Sequence, residues 1–245
     1  MAKNKLTLYN SYGFLFFVLL FGFFPKTMLD RYEILLNVLL LVFLRRVYSL
    51  RSSKDVFKKI FDSGFWLGIL FIIEPFTVVF GALIFIATFL FQTLNLRTFL
   101  IPILGFIAPV FCYFTYCFWF DQVDEFLALF LLYTDYDFSL YGQGTLFISI
   151  LFISILTVIS IFFKTPKVFL ISGSYRKYWT LILVNLLIGL LMIVFSNNPN
   201  GSEFMYAFFP VAVILTNWVE GIKRKFLKDA LLGICILFPV VLLII

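Results

Sequence analysis

Two cations and two carboxylates lie within one short stretch near the start of the chain, at Lys26, Asp30, Arg31 and Glu33. Lysine and arginine bind phosphate through charge-assisted hydrogen bonds, and a carboxylate beside them can take a proton from a reacting hydroxyl. The combination predicts a site in which Lys26 and Arg31 bind a phosphate while Asp30 or Glu33 is the catalytic base. The alternative is a polar turn between two helices, charged because it faces water.

A further carboxylate, Glu74, stands beside Pro75 in the middle of the apolar run 60–94. The part before it, 60–73, is about 21 Å long as a helix at 1.5 Å per residue, too short to cross a normal bilayer core. A re-entrant hairpin would place Glu74 near the apolar zone, where ionisable residues are rare and usually functional. Glu74 is therefore a supporting catalytic candidate, and the alternative is a solvated turn residue in locally thinned bilayer.

Acidic residues also precede a short apolar stretch, since Asp121, Asp124 and Glu125 come just before residues 126–133. The stretch is too short to span a membrane and too apolar to lie in water. It predicts an interfacial helix over residues 123–133. Its acids either offer a cation site or cap and solvate the start of the helix.

Several kinds of chemistry are excluded by composition. The sequence of 245 residues contains no histidine, which removes the usual neutral-pH base and the imidazole metal ligand. Cys112 and Cys117 would face about 140° apart on a helix, so they predict neither a disulfide nor a metal pair. No Walker loop, dinucleotide fingerprint or zinc spacing occurs. We predict no metal and no cofactor.

Composition indicates that lipid is the main solvent of the chain. Hydrophobic residues make up 63% and charged residues 13%, against about 25% charged in a soluble domain. The predicted fold is all-α and polytopic, a single membrane domain over residues 1–245. No small-x-small cleavage site follows the first apolar segment, which favours an uncleaved helix over a signal peptide. Nine apolar segments are predicted, at 8–24, 32–44, 60–73, 76–94, 100–120, 145–163, 180–195, 204–219 and 227–245.

The topology depends on whether the run 60–94 is one helix or two. One straight helix would be about 52 Å long, against a hydrocarbon core of about 30 Å, and Pro75 would break its hydrogen bonding. With two helices there, all of the 19 lysines and arginines except Lys26 and Arg31 fall on one side. Because cytoplasmic loops are enriched in lysine and arginine, we expect the amino terminus inside and the carboxyl terminus outside. Contacts with anionic membrane lipids then explain the net charge of +6, without a nucleic-acid partner.

Small and polar residues inside the apolar segments predict how the helices pack. Gly64 and Gly68, four residues apart, would let another backbone approach closely. Asn37, Asn185 and Asn217 are expected to form hydrogen bonds between helices.

Two resemblances to known families arise from these segments. Residues 203–217, EFMYAFFPVAVILTN, and 222–229, IKRKFLKD, resemble an uncharacterised Bacteroidetes-type inner-membrane family. That resemblance implies a location in the inner membrane and no particular activity.

The second resemblance covers residues 63–117, with Gly64-x-x-x-Gly68, Glu74-Pro75, a long apolar run, Arg97 and Gly105-x-x-x-Pro109. This pattern is similar to the middle helices of polyprenyl-phosphate-dependent glycosyltransferases of the C superfamily. Those enzymes use a carboxylate in the first extracytoplasmic loop, which the resemblance matches to Asp30 and Glu33.

Two functions of different class are compatible with the sequence. The leading one is a glycosyltransferase-like enzyme that handles a polyprenyl-phosphate-linked sugar at the outer face of the inner membrane. The alternative is a non-catalytic scaffold that binds other membrane subunits of an envelope complex. A transporter is the third possibility. Paired broken helices can line a transport path, but few charges lie within the apolar segments.

The charge distribution predicts the sidedness of the loops. A reporter domain fused after Lys59 or Lys177 should be active only in the cytoplasm, and one fused after Asp137 only outside. Enzymatic reporters with compartment-specific activity test this. A reporter after Lys177 that reads as external would contradict the nine-pass topology and favour a single helix across 60–94.

Overall fold

The structure is a computed structural model that describes residues 11–92, 94–131, 139–142, 144–170, 173–195 and 201–244. Every regular element in these residues is helical, as the sequence predicts. The α-helices are α1 (Tyr12–Phe23), α2 (Lys26–Leu29), α3 (Arg31–Ser49), α4 (Val56–Ile73), α5 (Gly81–Phe91), α6 (Leu96–Trp119), α7 (Val123–Ala128), α8 (Gly144–Phe169), α9 (Gly173–Val194), α10 (Met205–Glu220) and α11 (Lys225–Ile244). Short 3-10 helices occupy Pro75–Phe80, Ser139–Gly142 and Ser202–Phe204.

Each predicted apolar segment overlaps a helix, but fewer helices than nine are built to cross a membrane. Within the described ranges four qualify by length and composition, namely Leu96–Trp119, Gly144–Phe169, Tyr175–Val194 and Ser202–Glu220. Hydropathy locates a helix but does not fix where its backbone hydrogen bonding ends. Helix α1, for example, has 12 residues, or about 18 Å at 1.5 Å per residue. The four apolar helices are consistent with association with a membrane.

The predicted helix break at Glu74-Pro75 is confirmed. Helix α4 ends at Ile73, Glu74 is extended with φ −134° and ψ 100°, and Pro75 opens the 3-10 helix that leads into α5. Proline cannot donate a backbone hydrogen bond, so α4 cannot continue through it. The chain then turns back along α4, since a Cβ at Gly81 would lie 3.2 Å from Leu67.

The predicted interfacial helix is shorter than expected. Helix α7 ends at Ala128, whereas the prediction covered residues 123–133, and residues 132 and 133 lie outside the described ranges. The helix packs back on α6, where the Phe126 ring lies 5.0 Å from the ring of Phe114. Asp121, Asp124 and Glu125 at its start are exposed, which suits residues that cap and solvate a helix.

The described chain divides into two compact units. The first contains the described residues of 11–33, 139–193 and 201–244. Helix α10 is its centre, with thirteen of sixteen residues buried, and it packs against α1 and α8. Gly189 of α9 also lies against α10, since a Cβ there would come 2.8 Å from the Tyr206 carbonyl oxygen.

The second unit contains the described residues of 34–131 with Val194 and Phe195. Its closest packing is between α4 and α6, where backbones touch through glycine. A Cβ at Gly64 would collide with the Pro102 carbonyl oxygen, and one at Gly68 would lie 2.5 Å from that of Phe106. A Cβ at Gly105 of α6 would likewise collide with the Phe61 carbonyl oxygen. The close helix packing predicted from Gly64 and Gly68 is therefore confirmed.

The glycine contact predicts a large effect of a single methyl group. We expect Gly64→Ala to lower the free energy of unfolding by about 1–3 kcal/mol or more, because rigid backbone blocks the new Cβ. Gly233→Ala on α11 is the matched control, since no atom lies within 4 Å of its Cβ position. That change should be neutral or stabilising by about 0.5–1 kcal/mol, the helix preference for alanine. Unfolding in mild detergent measures both, and equal stabilities would contradict the packing.

Candidate functional site

The turn between α1 and α3 is anchored on one side and exposed on the other. Thr27 is buried, and its hydroxyl donates to the Phe24 carbonyl oxygen at 2.6 Å. The Asp30 carboxylate accepts a hydrogen bond from the Tyr32 backbone N–H at 2.9 Å, which satisfies one of the open donors at the start of α3. Lys26 and Arg31 are exposed. The turn thus presents two cations while Asp30 caps a helix.

A second carboxylate, Glu203, is completely buried (0% exposed) at the start of α10. The Tyr141 hydroxyl donates to its Oε1 at 2.6 Å. The Gly201 backbone N–H points at both carboxylate oxygens, 3.1 Å from Oε1 and 2.8 Å from Oε2. A buried charge is costly unless it is hydrogen-bonded. These donors favour the ionised carboxylate, which is an acceptor only.

The local sequence explains why the chain can make this turn. Gly201 has φ +99°, a left-handed conformation that favours glycine, and a Cβ there would lie 2.6 Å from the Leu146 side chain. The 3-10 turn Ser202–Phe204 follows and runs directly into α10. Glycine at 201 is therefore required for both its backbone angle and its lack of a side chain.

Glu33 meets the same turn from the start of α3. The Ser202 hydroxyl donates to Glu33 Oε1 at 3.3 Å, although the two residues are 169 positions apart in sequence. Helix α2 packs against Ser202–Phe204 as well. We name the group formed by Glu33, Tyr141, Gly201, Ser202 and Glu203 the Glu203 cluster. It joins two carboxylates of different exposure, because Glu203 is buried and Glu33 is partly exposed.

The electrostatics of the cluster also affect Tyr141. Burial, together with the hydrogen bond to Glu203 and the charge of that carboxylate, raises the pKa of Tyr141 above its usual range. The tyrosine therefore keeps its proton for donation to Glu203.

The structure brings together only some of the residues predicted for the site. Lys26, Asp30, Arg31 and Glu33 belong to the first unit, where their turn borders the Glu203 cluster. Glu74 belongs to the second unit, at the end of α4. Its backbone carbonyl accepts the Thr77 hydroxyl at 2.7 Å, which fits a residue at a helix break.

Sequence reasoning missed the other members of the cluster. Glu203 enters the sequence analysis only as the first residue of the segment 203–217, and Tyr141, Gly201 and Ser202 do not stand out there. The sequence signal for this turn is Gly201-Ser202-Glu203 directly before an apolar helix. A glycine followed by an acidic residue just before such a helix indicates a constrained polar turn. Tyr141 lies in a mixed stretch that offers no comparable signal.

A second polar group lies at the other end of α10. The Lys164 ammonium donates to the Asn217 carbonyl oxygen at 3.0 Å, and the Tyr175 hydroxyl donates to Asn217 Oδ1 at 2.5 Å. The Gly221 N–H donates to the Trp218 carbonyl oxygen, so the α-helical hydrogen-bond pattern ends there. Lys164 therefore donates to a carbonyl oxygen near the end of α10. The predicted interhelical bonding of Asn217 is confirmed. This group fixes helices rather than forming a reactive centre.

Metal-ligand types do not gather in the described part of the chain. In those ranges no three acidic or cysteine side chains are placed to hold a metal ion. Cys112 is exposed, while Cys117 and Cys235 are buried, and all three are free thiols.

Comparison with known proteins gives a family but no activity. A model described as a family of unknown function (DUF6427) matches residues 2–245. The chain belongs to this family. The expectation of an uncharacterised family is confirmed over residues 2–245, its Bacteroidetes-type and inner-membrane character stays a prediction, and the match carries no support for similarity to glycosyltransferases. No curated protein and no solved structure matches the sequence.

The Tyr141–Glu203 hydrogen bond predicts a loss of stability in Tyr141→Phe. We expect the free energy of unfolding at neutral pH to fall by about 1.5–3 kcal/mol, the usual value of a hydrogen bond to a charged group. The raised pKa of Tyr141 adds a pH effect. Unfolded chains ionise this tyrosine above about pH 10, so its stabilising contribution is present below that pH and is lost as the pH rises.

The measurement is unfolding in mild detergent between neutral pH and pH ~11. Tyr141→Phe should show a smaller loss of stability on alkalinisation than the natural protein. Tyr116→Phe is the matched control, because Tyr116 is exposed on α6. A Tyr141→Phe protein that is as stable as this control would show that the bond is unimportant.

Proposed function

We propose that this protein is a multi-pass protein of the inner membrane that handles a polyprenyl-phosphate-linked sugar at the outer face. In this proposal the amino terminus lies in the cytoplasm, and the α1–α3 turn and the start of α10 lie outside. The observation that carries the proposal is the meeting of Glu33 with the Ser202–Glu203 turn beside two exposed cations. A carboxylate next to cations at a membrane surface suits a substrate that has both a phosphate and reactive hydroxyls.

The two carboxylates have different roles in this function. Glu203 is buried and hydrogen-bonded to Tyr141 and Gly201, so it is a positioning residue that fixes the turn. Glu33 is only partly exposed, with its Oε2 buried and its Oε1 accepting the Ser202 hydroxyl, so in this function a bound hydroxyl takes the place of Ser202. Asp30 is the weaker candidate for the base, because its carboxylate caps α3. Glu74, in the other unit, is a supporting candidate.

The reaction that suits this arrangement is transfer of the sugar to an acceptor hydroxyl. The hydroxyl oxygen forms a bond to the anomeric carbon, and the bond from that carbon to the phosphate oxygen breaks. The lipid phosphate leaves, with its charge balanced by Lys26 and Arg31, and Glu33 receives the hydroxyl proton. No cofactor enters these steps.

The alternative function is a scaffold for other membrane subunits. Helix α6 favours it, because its exposed surface carries several large aromatic residues, Phe111, Tyr116, Phe118 and Trp119 among them. Such a face packs on partner helices as readily as on lipid. A scaffold requires that a partner co-purify with the protein, and it does not depend on Glu33.

The enzyme proposal predicts that Glu33→Gln abolishes activity while the protein still folds. Glutamine keeps the size and an acceptor oxygen but cannot take the proton, so the rate should fall by about 10²–10⁴. The assay measures release of polyprenyl phosphate from polyprenyl-phosphate-linked sugars by the purified full chain in nanodiscs. Asp124→Asn on α7 is the matched control, an exposed carboxylate changed in the same way in the second unit.

Asp30→Asn separates the two candidate bases. Asparagine caps a helix about as well as aspartate does, so activity should persist if Glu33 is the base. Full activity of Glu33→Gln would contradict the proposed role of Glu33. If a membrane protein also co-purified in stoichiometric amount, the scaffold would become the better explanation.

A further inference from the structure

An apolar groove in the first unit runs beside the Glu203 cluster. Its volume is about 310 Å³, at the lower end of the range usual for ligand pockets. The floor comes from α1 and α10, with Leu20, Phe208 and Val211 among its residues, and the walls come from α8 and α9. Ser154 and Thr157 are its polar lining residues. A site of this composition suits a hydrocarbon chain.

The groove is open at one side, between α8 and α9. Val158 of α8 and Leu187 of α9 line it and are 65% and 60% exposed, whereas its floor residues on α1 and α10 are buried. Both wall helices contain membrane spans by length and composition. A lipid chain can therefore enter sideways from the surrounding bilayer, without passing through water.

The length of the groove matches one leaflet. Its lining on α8 extends from Ile150 to Ile161, roughly 16 Å of helix at 1.5 Å per residue. The hydrocarbon core of a bilayer is about 30 Å thick, so one leaflet accounts for about half of it. The other lining residues come from the end of α1, the end of α9 and the start of α10, all near the Glu203 cluster. The groove thus extends from the side of that cluster to the middle of α8.

Aromatic rings connect the groove to the cluster. Phe204 lines the groove and is the residue after Glu203. Its ring stacks on that of Phe24 with 4.6 Å between centroids, and it contacts the Tyr141 ring at 5.7 Å. A chain in the groove would therefore have its polar end beside Glu203, Glu33 and the Lys26–Arg31 turn.

We propose that this groove binds the prenyl chain of a polyprenyl phosphate lipid, whose phosphate lies at the Lys26–Arg31 turn. The assignment rests on the proposed function, which supplies the phosphate-bearing headgroup. The small volume favours a single chain over a two-chain phospholipid. Exposed Lys26 and Arg31 suit the phosphate, which is attached directly to the first prenyl unit.

Photo-crosslinking tests the occupant directly. The full chain is placed in nanodiscs with polyprenyl phosphate that carries a diazirine within its chain, and the labelled peptides are identified. Labelling should concentrate on the groove segments of α8 and α9. Unlabelled polyprenyl phosphate should compete, and phosphatidylglycerol at the same concentration should not. Equal competition by phosphatidylglycerol would overturn the assignment to a prenyl chain.

Blocking variants test the place of binding. Ser154→Phe with Val158→Phe puts two rings into the opening and should cut labelling by about tenfold, the effect of excluding some two methylene groups. Ile155→Phe is the matched control, because Ile155 is 50% exposed on the same helix and does not line the groove. Leu187→Phe narrows the opening from α9 and replaces the double variant if that protein fails to fold. Unchanged labelling in the blocked protein would overturn the inference.

Activity and labelling together separate this inference from the proposed function. Glu33→Gln should lose sugar transfer and keep groove labelling. If Glu33→Gln stays active while the groove is labelled, the proposed reaction fails and the lipid site stands. If Glu33→Gln is inactive and the groove is not labelled, the lipid site fails alone.

Discussion

Burial of the Glu203 carboxylate is the constraint on which the first unit depends. A charge removed from water must receive hydrogen bonds, and only donors at fixed positions can supply them. Tyr141 approaches from the 3-10 turn before α8, and Gly201 from the turn before α10. Ser202, next in the chain, reaches Glu33 at the start of α3. One buried acid thereby ties together three segments that are remote in sequence.

Polar side chains also fix the other end of α10, where Lys164 and Tyr175 donate hydrogen bonds to Asn217. Between the two ends the helix is apolar and almost entirely buried. Apolar burial is non-directional, so it does not by itself fix a helix along its axis. Polar contacts at both ends of α10 fix its position along that axis. The second unit uses another device, since Gly64 and Gly68 bring the backbone of α4 against that of α6. Backbone contact fixes the helix register there without a buried charge.

The buried Glu203 carboxylate and the glycine contact between α4 and α6 explain which features the sequence predicts and which it does not. The helices, the break at Glu74-Pro75 and the close approach at Gly64 follow from local chemistry, so a short window of sequence contains the information. The Glu203 cluster cannot be predicted from a short window, because Glu33 and Ser202 are 169 positions apart in sequence and Tyr141 lies in a stretch of mixed polarity. The number of spanning helices was overestimated because hydropathy does not show where a helix ends. Asp30 was grouped with Glu33 by spacing alone, and only coordinates reveal that it caps α3.

The two acids of the cluster also show how environment assigns roles to identical side chains. Glu203 is enclosed and receives hydrogen bonds from the Tyr141 hydroxyl and the Gly201 N–H, which fix it as part of the turn. Glu33 accepts a long bond of 3.3 Å from Ser202 at a partly exposed position, where a substrate hydroxyl could replace the serine. Carboxylates in different surroundings divide structural and proton-transfer duties in many enzymes. In the proposed function Glu203 fixes the turn that carries Ser202, and a substrate hydroxyl takes the place of Ser202 at Glu33, beside the headgroup of a lipid whose chain fills the neighbouring groove.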